Sequence, residues 1–131
     1  MNLREQLLAA GANTPTLVEH VIKSWDISVW IRVMPGTERD VFDSELSRYS
    51  DDKGKFRATA QAIRQIRHKL LLTCVCNAEG EKVLKTEDMP VLDQKSGAVL
   101  AGLVKEVLTV NGLNPEATKE IEGNSESDPT E

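Results

Sequence analysis

Residues 27 to 34 alternate strictly. Ile27, Val29, Ile31 and Val33 fall on one side, and Ser28, Trp30, Arg32 and Met34 on the other. That period of two is the signature of a strand. Leu17 to Ile22 is also rich in β-branched residues, and Ser24-Trp25-Asp26 between the two segments has turn character. The pair predicts a hairpin, which is marginal alone and needs a cover. Leu70 to Cys76 reads as a further strand, Asn77 to Lys82 as a hairpin turn and Val83-Leu84 as a short return.

Helical spacing appears elsewhere. Leu3 to Ala10 holds good helix formers, with Gly11 at its end and a linker over Ala12 to Thr16. Pro35-Gly36 closes the strand over 27 to 34. Thr37 with Asp40 three residues on is a weak form of capping box, and Val41, Phe42, Leu46 and Tyr49 form a stripe behind it. Ser50 to Lys55 is a polar loop, and Phe56 to Arg67 is helical at its start. Thr86 reads as a cap for a short helix to Asp93, with Pro90 in its first turn. The longest helix runs from about Ser96 to Val110, striped by Val99, Leu100, Leu103, Val104, Val107 and Leu108. Asn111, Gly112 and Leu113 suit its C-cap, C′ and C″ positions. A few more helical residues reach toward Ile121. Two strand pairs and several helices that cannot stand alone make an α+β fold: small antiparallel strand pairs packed with helices, a long C-terminal helix and a disordered acidic tail. Residues 1–122 form one domain and 123–131 the tail.

Charge sharpens that division. The 131 residues carry a net charge of −5. From Glu116 to Glu131 six acids stand against Lys119 alone, so this stretch holds all of it and the body is neutral. The balance speaks against general nucleic-acid affinity. No apolar run approaches the ~20 residues of a membrane helix, and the first residues lack the basic start and cleavage site of a signal peptide. The chain reads as a soluble cytoplasmic protein. With few aromatics, the core is expected to be aliphatic.

No strong catalytic constellation emerges. Gly36, Gly54 and Gly80 are isolated in turns, and the carboxylate pairs Asp51-Asp52 and Glu87-Asp88 fall in a loop and a helix first turn. Cys74 and Cys76 read as small buried hydrophobes rather than a redox or metal pair, because His20 and His68 lack metal-site spacing. No catalytic, cofactor or metal residues are expected. The basic segment Lys53, Lys55, Arg57, Arg64, Arg67, His68, Lys69 is either a solvated face or a nucleic-acid stripe. Trp30, Arg32 and Met34 are the candidate partner-binding residues, since a Trp and an Arg on one strand face are types that anchor interfaces. The competing reading is a Trp covered by the protein's own helix, with the Arg passing beside it.

These segments also carry a resemblance. The strand Val29-Trp30-Ile31-Arg32-Val33-Met34 leads to Thr37-Glu38-Arg39-Asp40 opening a helix. Later come Leu70-Leu71-Leu72-Thr73-Cys74-Val75-Cys76-Asn77-Ala78-Glu79-Gly80, then Lys95-Ser96-Gly97-Ala98 before a helix ending Val110-Asn111-Gly112-Leu113. Over most of residues 25 to 113 this resembles the tail assembly chaperones of long-tailed bacteriophages, with Val33-Met34-Pro35-Gly36 replacing their usual acidic, leucine-bearing stretch. The resemblance implies a non-enzymatic chaperone in the host cytoplasm, absent from the mature virion. Such a protein holds the tape-measure protein until tail tube subunits polymerise around it. It also implies self-association and contact with the major tail tube protein. The alternative function is a small nucleic-acid-binding regulator using residues 53 to 69.

Overall fold

The computed structural model describes residues 1–10, 16–113 and 121. The expected helix to Ile121 and the tail over 123–131 fall mostly or wholly outside them.

The expected hairpin is present. Strands β1 (Leu17–Ile22) and β2 (Ile27–Arg32) run antiparallel, with Leu17 opposite Arg32 and Ile22 opposite Ile27. A 3-10 turn over Lys23–Trp25 joins them, and Asp26 closes it in the left-handed region at φ 54°, where a short polar side chain is tolerated. Helix α1 (Leu3–Ala9) precedes the hairpin. Its capping box is formed by Asn2 and Glu5, and it buries none of its residues.

Helix α2 (Gly36–Ser47) starts earlier than Thr37. Pro35 is its N-cap, and the Pro35 carbonyl already accepts from the Arg39 amide at 2.9 Å. Thr37 is therefore inside the helix, and no side chain caps it. Phe42 and Leu46 are buried as the stripe requires, Tyr49 packs against the core, and Val41 stays exposed.

The strand expected over 70 to 76 is mostly helix. Helix α3 (Ala60–Cys74) begins at Thr59, whose hydroxyl accepts from the Ala62 amide at 3.1 Å. Ala62, Ile66, Leu70 and Cys74 recur every fourth residue and form its buried stripe. An apolar run such as Leu70-Leu71-Leu72 suits a buried strand or a buried helix equally. The stripe that starts at Ala62 decides for helix. Only Val75 and Cys76 remain as β3, paired with Ile31 and Trp30 of β2. The two expected strand pairs are thus one three-stranded antiparallel sheet of order β1-β2-β3. The return stroke past the Asn77 to Lys82 turn is reduced to a bridge between Cys76 and Lys82. Gly80 turns the chain there at φ 85°.

Thr86 is not a cap but the first residue of a 3-10 turn, Thr86–Asp88. Its entry is fixed by the Asp88 carboxylate, which accepts from the Lys85 amide at 2.8 Å. Helix α4 (Met89–Asp93) follows. Helix α5 (Gly97–Val110) is capped by Ser96 as expected. Its C-terminus is a Schellman motif: Leu113 N–H bonds to the Leu108 carbonyl, Gly112 N–H bonds to the Thr109 carbonyl, and Gly112 takes φ 59°.

Helices α3 and α5 pack on each other and on β2. Ile31, Leu70, Cys74, Val104, Val107 and Leu108 are almost fully buried at that junction, together with Ile121. The cover the hairpin needs is this helix pair. Among the described residues one polar side chain, Asn111, is buried with them. Its Oδ1 accepts from the Met34 amide at 2.8 Å, and its Nδ2 donates to the Val107 carbonyl at 3.0 Å and the Arg32 carbonyl at 3.4 Å. Arg39 of α2 adds bonds to the carbonyls of Asn111 (2.6 Å) and Gly112 (3.1 Å).

Asn111→Ala strands the buried Met34 N–H, so it should cost about 2 kcal/mol, read as a lower urea midpoint at unchanged slope. Asn111→Asp should not rescue it, because a carboxylate would then face the Val107 carbonyl.

Candidate interaction site

Trp30 and Arg32 share one face of β2 by strand alternation. Trp30 is half-buried. Its neighbour across the ladder is Cys76, which in turn bridges to Lys82. The face therefore runs across the sheet from Trp30 to Lys82.

Arg32 is held from two sides. Its Nη1 and Nη2 reach Glu38 Oε1 and Oε2 at 3.0 and 2.7 Å, and Nη1 also donates to the Thr73 carbonyl at 3.0 Å. Thr73 lies in the last turn of α3, where an unsatisfied carbonyl and the negative end of the helix dipole both favour a cation. The forked bond to Glu38 raises the Arg32 pKa, and the Arg32 guanidinium holds the Glu38 carboxyl below its ordinary value. Met34 lies two residues past the end of β2 and is buried, with its side chain in the core.

Met34 and Glu38 also line a hollow of about 450 Å³ between α2 and α3. Val41 and Phe42 contribute apolar surface, and Lys69, Thr73 and Lys82 form much of the rest. Sequence reasoning placed Trp30 and Arg32 on one face but missed Glu38, Val41 and Lys82. Opposite charges flanking Pro35-Gly36 were the available signal for Glu38.

A larger hollow, about 1010 Å³, lies on the other side of α3, against α4 and α5. Its floor includes Leu71, Leu100 and Val104, and Arg64, Arg67 and Lys95 stand around it. Much of the basic segment is spent within the fold. Arg57 pairs with Asp51, Lys69 with Glu45, and His68 meets Asp93 at 3.0 Å. Arg67 Nε donates to the Ile121 carbonyl at 2.6 Å.

Cys74 and Cys76 are free thiols, both buried, but one ends α3 and the other lies in β3, so they do not share a strand. Burial pushes the Cys74 thiol up to about 11 despite Arg32 nearby, and Cys76 shifts upward for the same reason. Among the described residues no group of three His, Cys, Asp or Glu could hold a metal ion, and no helix is long and apolar enough to cross a membrane.

These features define a small α+β domain whose one central helix, α3, separates an apolar hollow from a basic one. The solved structure of the bacteriophage HK97 tail assembly chaperone is similar, with a TM-score of 0.52 and 17% sequence identity over 81% of this chain and 94% of that one. At that identity the likeness is one of fold. No protein-family model and no curated protein sequence matches the chain.

Glu38 has a lowered folded-state pKa, so its contribution to stability is present above its ordinary value of 4.5 and is lost as pH falls through the folded value. The urea midpoint of Glu38→Gln should trail the wild type near neutrality and converge with it in acid. Cys74 should resist iodoacetamide in the native protein at mildly alkaline pH and react rapidly once urea unfolds the chain.

Proposed function

We propose that this chain is a phage tail assembly chaperone that binds the tape-measure protein in the host cytoplasm and keeps it soluble until tail tube subunits take over. The observation that carries the reading is the fold shared with the HK97 tail assembly chaperone over most of both chains. The resemblance of residues 25 to 113 to that family points the same way.

The contact surface on this reading is the face carrying Trp30, continued over the hollow beside Val41. Half-exposed Trp30 and exposed Val41 offer apolar area to an apolar helical partner, which would otherwise aggregate. Arg32 and Met34 take part from beneath. Arg32 ties the strand to α2 and α3, and Met34 forms part of the wall of the hollow. A holdase needs this kind of surface and no reacting groups. Self-association and contact with the major tail tube protein belong to the same proposal.

Co-expression with the tape-measure protein of a long-tailed phage tests the assignment. The wild type should keep that protein in the soluble fraction. Trp30→Ala combined with Val41→Glu should lower the captured amount severalfold while circular dichroism stays unchanged. Undiminished capture by this variant would remove the surface from the proposal. Failure of the wild type to capture any tape-measure protein would remove the function.

A further inference from the structure

The two hollows flank the same helix, and only the apolar one serves the capture surface. Arg64, Arg67, His68 and Leu71 stand at i, i+3, i+4 and i+7 along α3, so one helical face lines the larger hollow. Lys95 and the first turn of α5 line it from across. These walls are fixed by the fold. His68 reaches Asp93 at 3.0 Å and ties α3 to the end of α4. The Lys95 amide donates to the Leu92 carbonyl at 2.9 Å, and Ser96 caps α5.

The charge in this hollow is unbalanced. Exposed Arg64 and Lys95 form no ion pair among the described residues, and Arg67 bonds there only through its Nε, to the Ile121 carbonyl. Burial pushes the half-buried Arg67 guanidinium below its ordinary pKa, and Asp93 opposes that shift. Asp93 is the one carboxylate lining the hollow among the described residues, and it already faces His68. A further carboxylate beside Arg67 would offset the desolvation. Leu92, Leu100 and Ala101 offer half-buried apolar surface between the cations, with Leu71 and Val104 deeper.

Charge and apolar floor together select the occupant. Exposed ion pairs contribute little by themselves, so a bare anion would be held loosely. Apolar area withdrawn from water adds affinity in proportion to its extent. The volume of about 1010 Å³ is at the upper end of the ~300–1,000 Å³ of sites that enclose small ligands, so several side chains fit. Nucleic acid suits it less well. Single strands bind in cation-lined grooves with aromatic platforms for the bases. Among the described residues that line this hollow, His68 carries the one aromatic ring, and it is engaged by Asp93. Arg57 and Lys69 of the same basic segment are paired with Asp51 and Glu45.

We propose that the hollow between α3 and the α4–α5 turn docks a short acidic segment of a second protein. Its bulky aliphatic side chains rest on Leu92, Leu100 and Ala101, and its carboxylates meet Arg64, Arg67 and Lys95. This site and the apolar hollow lie on opposite sides of α3, so the domain can hold two partners at once. The inference does not depend on which protein the Trp30 face binds.

Fluorescence anisotropy of a labelled glutamate-rich peptide with two central leucines, titrated with the full chain at low salt, tests it. Binding should saturate, and it should weaken about tenfold with the Arg64→Glu, Lys95→Glu variant. That variant should keep the wild-type circular dichroism and the wild-type capture of co-expressed tape-measure protein. Replacing the two leucines of the peptide by serine should also cost severalfold in affinity. Amide shifts caused by the peptide should centre on Arg64, Leu71, Leu100 and Ala101. Equal binding by wild type and charge-reversed chain, or shifts centred on the Trp30 face, overturns the proposal. Equal binding of the serine peptide removes the apolar floor from it and overturns it as well. A single-stranded oligonucleotide that binds as tightly as the peptide, and is lost in the same variant, overturns it in favour of nucleic acid. Capture that falls with the charge reversal overturns the separation of the two sites.

Discussion

The buried amide of Asn111 is the interaction on which the arrangement of elements depends. It sits at the C-cap of α5 and bonds to the Met34 amide beyond β2, to the Arg32 carbonyl and to its own helix at Val107. It also approaches the Cys74 sulfur at the end of α3. Each bond is worth only about 1 kcal/mol net. Their value lies in direction. An aliphatic core tolerates many packings of similar volume, whereas a planar amide with fixed donors and an acceptor fits one. Arg39, bonded to the carbonyls of Asn111 and Gly112, brings α2 to the same point. The Arg32–Glu38 fork, which shapes the rim of the apolar hollow, rests on this placement.

Much of this could be read from the residues. The β1–β2 hairpin declares itself by alternation, α2 by its stripe and α5 by its stripe and its Asn-Gly-Leu ending. These signals are local, and local signals survive in a sequence. The reading of Leu70 to Cys76 as a strand failed because a wholly apolar run carries no period, and Thr59, eleven residues upstream, had to be recognised as the start of the helix. The cap at Thr37 failed because Pro35 already had a carbonyl in place to begin α2. Asn111 was legible as a cap. Its bond to Met34 was not, since nothing in a linear pattern links positions so far apart.

The site was legible in the same uneven way. Trp30 and Arg32 do share a face, which follows from β2 alone. That Arg32 is clamped by Glu38 and the Thr73 carbonyl depends on how α2 and α3 are set against the sheet. That Met34 meets the core depends on where β2 ends, two residues short of the alternating pattern. The charge pattern along α3 is clearer in space than in sequence. Lys69 and Thr73 face the apolar hollow, while Arg64, Arg67 and Leu71 face the basic one. A run of cations that looked like one stripe is divided between two sides of a helix.

The separation of Met34 from Asn111 also sets a clock for synthesis. The hairpin that precedes Met34 can form within about 1–10 μs of leaving the ribosome. The amide that locks it to α5 is made 77 residues later, which at roughly 5–20 residues per second takes about 4–15 s. During that interval the sheet face that α5 will cover is open, and whatever meets the nascent chain then meets the inside of the domain.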